Sequence, residues 1–186
     1  TLMELKREEY EGVKGTGLTE GDTPTSGKID RDSKEDACLV FEYLFPKEES
    51  RKLFAHLFAE AICWADELNS DNWEVTLWTN AVRLNVARAA TIDYHKDLGR
   101  FTLNADSLNS EGLSLLEPYF SEGFQFVSVP GDSKSYEIPA ENMADVIDSV
   151  KLSLKSFIRN ASGSSNTSGL KEYHSTGVLK YLRDYL

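Results

Sequence analysis

Trp73-Glu-Val-Thr-Leu-Trp78 and, after Thr79-Asn80, Ala81-Val-Arg-Leu-Asn-Val86 are the segments that decide the fold of this chain. Trp73, Val75 and Leu77 alternate with Glu74, Thr76 and Trp78, while Val82, Leu84 and Val86 alternate with Arg83, Asn85 and Ala87. Successive side chains of a strand point to opposite faces, so a period of two predicts strands with one apolar and one polar face. Two such runs across a short turn predict a hairpin.

Working outward, a third run sets Ile92 and Tyr94 against Thr91, Asp93 and His95, and Lys96-Asp97-Leu98-Gly99 turns the chain into a fourth, Arg100 to Asn104. The result is a meander of strands near 73–78, 81–87, 90–95 and 100–104. Upstream the period is 3.6. Leu53, Phe54, Leu57, Phe58, Ala61, Ile62, Ala65 and Leu68 form one helical stripe, predicting a helix over 47–68, and Cys38, Phe41, Leu44 and Phe45 form a shorter one, with Pro46 either ending it or beginning the next. Downstream, Asp106 to Phe120 reads as helical, Phe124 to Val129 as a strand, Pro130 to Ser133 as a turn and Tyr136 to Ile138 as a returning strand. Pro139 then suits the first turn of a helix over 140–160, and Ser175 the cap of a last short helix. The class is therefore α+β: an antiparallel sheet of about four to six strands with helices packed mainly on one face. Phe54, Phe58, Ile62, Val75, Leu84, Phe101, Val146, Val150 and Leu154 are the expected core.

With 186 residues the chain suits one domain. Residues 1–33 read as a flexible arm, since Gly12, Gly15, Gly17, Gly21, Pro24 and Gly27 interrupt any regular element, and 34–186 as a single α+β domain. Thr1-Leu2-Met3 reads as two vector-derived residues before a native Met3, and residues 162–169 as a loop. No signal peptide is apparent and no apolar run approaches the roughly 18 residues of a spanning helix, so the expected location is the cytoplasm, with Cys38 and Cys63 as free thiols.

The chain carries 20 basic and 31 acidic residues, a net charge of −11, which argues against a generally basic nucleic-acid binder. The balance reverses locally over 75–103, where Arg83, Arg88, Lys96 and Arg100 face only Asp93 and Asp97. The three histidines, at 56, 95 and 174, lack the spacing of a metal site, and no cofactor is implied. His56 reads as a helix-flank residue. Gly15-Thr16-Gly17 has no strand before it or helix after it, so it is no phosphate loop. His174-Ser175 lacks a triad's geometry, and no lysine stands two residues after Glu74 or Asp93 as a restriction-nuclease core requires. No residue is assigned a catalytic role, and the chain alone is not expected to be a complete enzyme.

What remains is the polar face, on which strand parity gathers Trp78, Arg83, Asn85, His95 and Arg100, with Arg88 at the end of its strand. Arginine forks, an amide and a tryptophan suit bidentate and stacking contacts with a phosphate, a carboxylate or a base edge. An ordinary solvated face, with Trp78 under a helix and Asp93 paired to Arg83 or Arg100, accounts for the same residues. A β-bulge between Ala87 and Thr91 would turn His95 toward the core.

Trp73 to Leu77, Arg83 to Val86 and the closing His174-Ser-Thr-Gly-Val-Leu179 together resemble the amino-terminal recognition modules of some bacterial restriction-type and HNH endonucleases, over roughly residues 36–186. The resemblance implies a non-catalytic DNA-reading module, for a plain or modified base, with catalysis in a further domain of the same polypeptide. Removing Arg83 and Arg100 together should then abolish binding while barely moving the melting temperature. An acidic protein-interaction domain or inhibitor that meets a basic partner is the alternative, and a small-molecule enzyme stands third.

Overall fold

The computed structural model describes residues 29–69, 72–86, 89–104, 125–128, 134–161 and 175–186. Its elements, in order, are α1 (Lys34–Leu44), α2 (Glu48–Asn69), β1 (Trp73–Leu77), β2 (Ala81–Val86), β3 (Ala89–His95), β4 (Arg100–Asn104), β5 (Gln125–Ser128), β6 (Lys134–Pro139), α3 (Met143–Ala161) and α4 (Thr176–Leu182), closed by a 3₁₀ turn over Arg183–Tyr185. The strands form one six-stranded antiparallel sheet in the order β1-β2-β3-β4-β6-β5, so the class is α+β.

The change of hydrophobic period at Trp73 is where helix gives way to sheet. On the apolar face, Val75, Leu77, Val82, Leu84, Val86, Ile92, Phe101 and Leu103 are buried against Phe54, Leu57 and Phe58 of α2 and Val150, Leu154 and Phe157 of α3. An aromatic knot sits at the centre. Phe101 packs 4.8 Å from Phe54 and 4.9 Å from Tyr94, and Phe45 lies 4.5 Å from Tyr94 (centroid distances). Eight of the nine expected core residues are buried; Ile62 is the exception, only partly buried and packed against the core.

Pro139 departs from expectation. It ends β6, opposite Arg100, and three residues separate it from α3. Lacking an N–H, proline cannot extend the ladder and so marks the strand's end. Ser175 occupies the N-cap position of α4, yet its side chain makes no cap bond. Its hydroxyl instead accepts from the Leu77 N–H at 3.1 Å, and its own N–H donates to the Val75 carbonyl at 2.9 Å. The outer edge of β1 is thereby partly satisfied, which blunts a surface otherwise open to strand pairing. Ser33 does cap α1, accepting from the Asp36 N–H at 3.1 Å.

Ile29 to Ser33, the end of the stretch read as an arm, is docked. The Gly177 N–H donates to the Arg31 carbonyl at 2.8 Å, and Thr176 Oγ1 donates to Asp32 Oδ1 at 2.6 Å. A Cβ on Gly177 would stand 2.3 Å from the Ser33 carbonyl oxygen, so only glycine permits this approach. Gly99, at φ +62°, closes the turn between β3 and β4 in the left-handed region that glycine enters freely. Residues 1–28, Asp106 to Phe120 and the 162–169 loop lie outside the described residues. Neither Cys38 nor Cys63 is in a disulfide; both are half-buried, and the Cys38 thiol donates to Glu42 Oε1 at 3.8 Å.

Candidate functional site

Antiparallel register builds the polar face in cross-strand rows. Thr76 pairs with Arg83, Arg83 with Asp93, Asp93 with Thr102 and Thr102 with Glu137, giving one row across five strands. Ala81, His95, Arg100 and Pro139 form the next row, and Glu74 stands beside Asn85 in the one beyond Arg83. A bulge does occur in β3. Leu84 pairs with Ile92 but Asn85 with Ala90, so Thr91 is the extra residue. It precedes Ile92 and leaves the alternation from there to His95 intact. The structure therefore brings Trp78, Arg83, Asn85, His95 and Arg100 to one face, and Arg88 lies outside the described residues.

Arg83, Asn85 and Arg100 are each held by an acid. Arg83 donates to Asp93 Oδ2 from Nε at 3.1 Å and from Nη2 at 2.9 Å. Its guanidinium lies over the Trp78 ring, 5.2 Å from the centroid. Asn85 Nδ2 donates to Glu74 Oε1 at 2.6 Å, and Arg100 Nη1 pairs with Glu137. The side chains of Asp93 and Glu137 are only 10% and 16% exposed, against 32% and 34% for their arginines, so the acids lie beneath the bases. Two arginines against Glu74, Asp93 and Glu137 make the face close to neutral. The local excess of base over 75–103 does not become a positive surface here.

Three buried polar atoms on this face have no hydrogen-bond partner: Thr76 Oγ1, Asp93 Oδ1 and Arg100 Nε. Among the described residues no group of three or more His, Cys, Asp or Glu could hold a metal ion, and no helix is long and apolar enough to cross a membrane. His56 on α2 faces the C-terminal turn, with Nδ1 2.7 Å from the Tyr185 carbonyl oxygen; a carbonyl only accepts, so Nδ1 carries the proton.

Sequence reading missed Glu137 as the partner of Arg100. Its period-two position in Tyr136-Glu137-Ile138 places it on a strand face, but the pairing of β6 with β4 is non-local, and no local signal carries it. The segments behind the nuclease resemblance do share one corner, since Trp73–Leu77 is β1, Arg83 to Val86 lies on β2, and Ser175 stitches α4 to the free edge of β1. No known protein family, curated protein or solved structure matches the chain.

Proposed function

We propose that this domain is a non-catalytic recognition module that reads DNA bases, plain or modified, through the polar face of its sheet, as one part of a larger bacterial restriction or defence nuclease. The observation that carries this reading is the combination of a half-exposed indole, Trp78, with Arg83 beside it and further hydrogen-bonding groups on the same face, held in fixed positions by Asp93, Glu74 and Glu137. Stacking and oriented donors are what base readout requires. The spatial union of the three resembling segments is a second support. Such a module would act in the cytoplasm, where Cys38 and Cys63 stay reduced.

The near-neutral face changes the expected energetics. A binder that neutralises many phosphates loses affinity steeply with salt through counterion release. Here the arginines are already paired, so binding should depend weakly on salt. Fluorescence anisotropy with plain and base-modified duplexes and single strands, at two salt concentrations, tests this. A shallow slope is expected. Absence of binding tighter than about 100 μM even at low salt sinks the nucleic-acid reading.

One observation favours the alternative, an acidic protein-interaction domain or inhibitor. The net charge is −11 and both face arginines are neutralised, which suits a basic protein partner more than a polyanion.

A further inference from the structure

The carboxylate beneath Arg83 is used unevenly. Both arginine donors converge on Oδ2, while Oδ1 is buried without a partner. Thr76, flanking Arg83 from the other side in the same row, holds its hydroxyl in the same state. Residue exposures of 9% for Thr76 and 7% for Asp93 put both beyond easy hydration. Buried polar atoms in native proteins are nearly always paired, so the orphaned Oδ1 of Asp93 points to a ligand that would satisfy it.

The occupant of that slot has a suggestive chemistry. A guanidinium is flat, edged with N–H donors, and here lies over an indole, 5.2 Å from its centroid, while donating two N–H groups to a carboxylate. We infer that Trp78 and Asp93 form a cradle for an unpaired guanine base, and that Arg83 fills it until the base displaces it. The inference rests on the nucleic-acid reading above and names the base. Guanine presents N1–H and a 2-amino N–H side by side, one for each carboxylate oxygen, which would satisfy Oδ1 as well as Oδ2. Adenine and cytosine place a ring acceptor beside their amino group, and thymine flanks its single N–H with carbonyls, so none offers two adjacent donors. In a duplex that edge of guanine is occupied by cytosine, so the cradle takes the base only when unpaired. Thr76 and Asp93 lie two strand spacings apart, about 10 Å, with Arg83 between them in the row.

Charge favours a nucleotide over an arginine-bearing peptide. A displaced Arg83 remains beside the slot on a flexible stem, free to meet a phosphate. A partner's guanidinium would bring a second cation against it.

The test is a titration of the full chain with guanosine 5′-monophosphate and with inosine 5′-monophosphate, which lacks only the 2-amino group, followed by tryptophan fluorescence and calorimetry. The guanine nucleotide should bind at least about tenfold more tightly, the discrimination that one good bidentate contact supplies. In Asp93→Asn that ratio should fall toward one, and in Arg83→Ala it should persist. Equal binding by the wild-type chain, a ratio that survives Asp93→Asn, or a ratio that vanishes in Arg83→Ala each overturns the cradle. Binding of an acetylated, amidated Gly-Arg-Gly peptide in place of the nucleotide also overturns it, in favour of a guanidinium ligand. If a variant fails to fold, the wild-type ratio alone decides. Loss of the cradle with oligonucleotide binding intact leaves the recognition module standing, whereas loss of all oligonucleotide binding removes both.

Discussion

The two faces of the sheet are held by opposite kinds of interaction. On one, Phe45, Phe54, Tyr94 and Phe101 pack ring against ring, and no side chain depends on a single partner. On the other, Arg83, Asn85 and Arg100 each bond one acid on a neighbouring strand. Packing is distributed and non-directional, while a hydrogen-bonded ion pair is specific and leaves an orphan when half of it is lost. The apolar face should therefore respond to lost volume, and the polar face to lost complementarity.

The largest effect belongs to the apolar face. Phe101 is fully buried and touches rings from α2, β3 and the α1–α2 junction. Phe101→Ala should destabilise by about 3–5 kcal/mol in denaturant melts, combining lost transfer energy with a cavity. A loss under about 1 kcal/mol would mean that the knot relaxes around the gap, and the contrast between the faces would fail.

Next is the ion pair. Arg83→Ala leaves a 10%-exposed Asp93 carboxylate without its partner, and should destabilise by about 1–3 kcal/mol. The expectation that the arginines could be removed with little effect on melting is corrected by this burial, because only exposed pairs contribute so little. The Lys52–Glu48 pair, with side chains 64% and 66% exposed, is the internal comparison, and its removal should not move the melt. An Arg83, Asp93 double-mutant cycle sharpens the point: coupling near zero would place the pair with the surface pairs.

Parity made the faces legible in sequence, and the reason is physical. Trp73 to Asn104 is local meander, in which each strand's partner is the next one along, so alternation alone sorts Val75 from Thr76 and Leu84 from Arg83. What parity cannot supply is register. It left Asp93 open to either Arg83 or Arg100; the β2–β3 register sets Asp93 directly opposite Arg83, and the pairing of β4 with β6 brings Glu137 to Arg100. Charge counting along the chain misled for the same reason, since it could not see which acids lie beneath which bases. Pro139 misled differently, because a proline suits a strand's end as well as a helix's start, and only the ladder to Arg100 decides between them.

The smallest expected effect separates the faces by pH. On the apolar side, burial pushes the phenols of Tyr94 and Tyr181 above their ordinary value, and for Tyr181 a hydrogen bond with Tyr185, at 3.0 Å, adds to it. A tyrosine is neutral when protonated, so a raised folded-state value means that the native chain keeps protons the unfolded chain gives up. Stability is then fully present below the unfolded value of about 10 and declines as pH rises through it. At about pH 10.5 the loss should be under about 1 kcal/mol for each ring, a shift of a few degrees in melting temperature for a domain of this size. Tyr181→Phe removes one of these titrations. Its melting temperature at neutral pH should fall through the lost hydrogen bond, yet its decline between about pH 9 and pH 10.5 should be shallower than that of the wild type. The comparison of slopes isolates the buried phenol from the hydrogen bond, which acts at both pH values. Parallel slopes would mean that Tyr181 ionises as freely in the folded chain as in the unfolded one, and that the apolar side admits water where its packing says it should not.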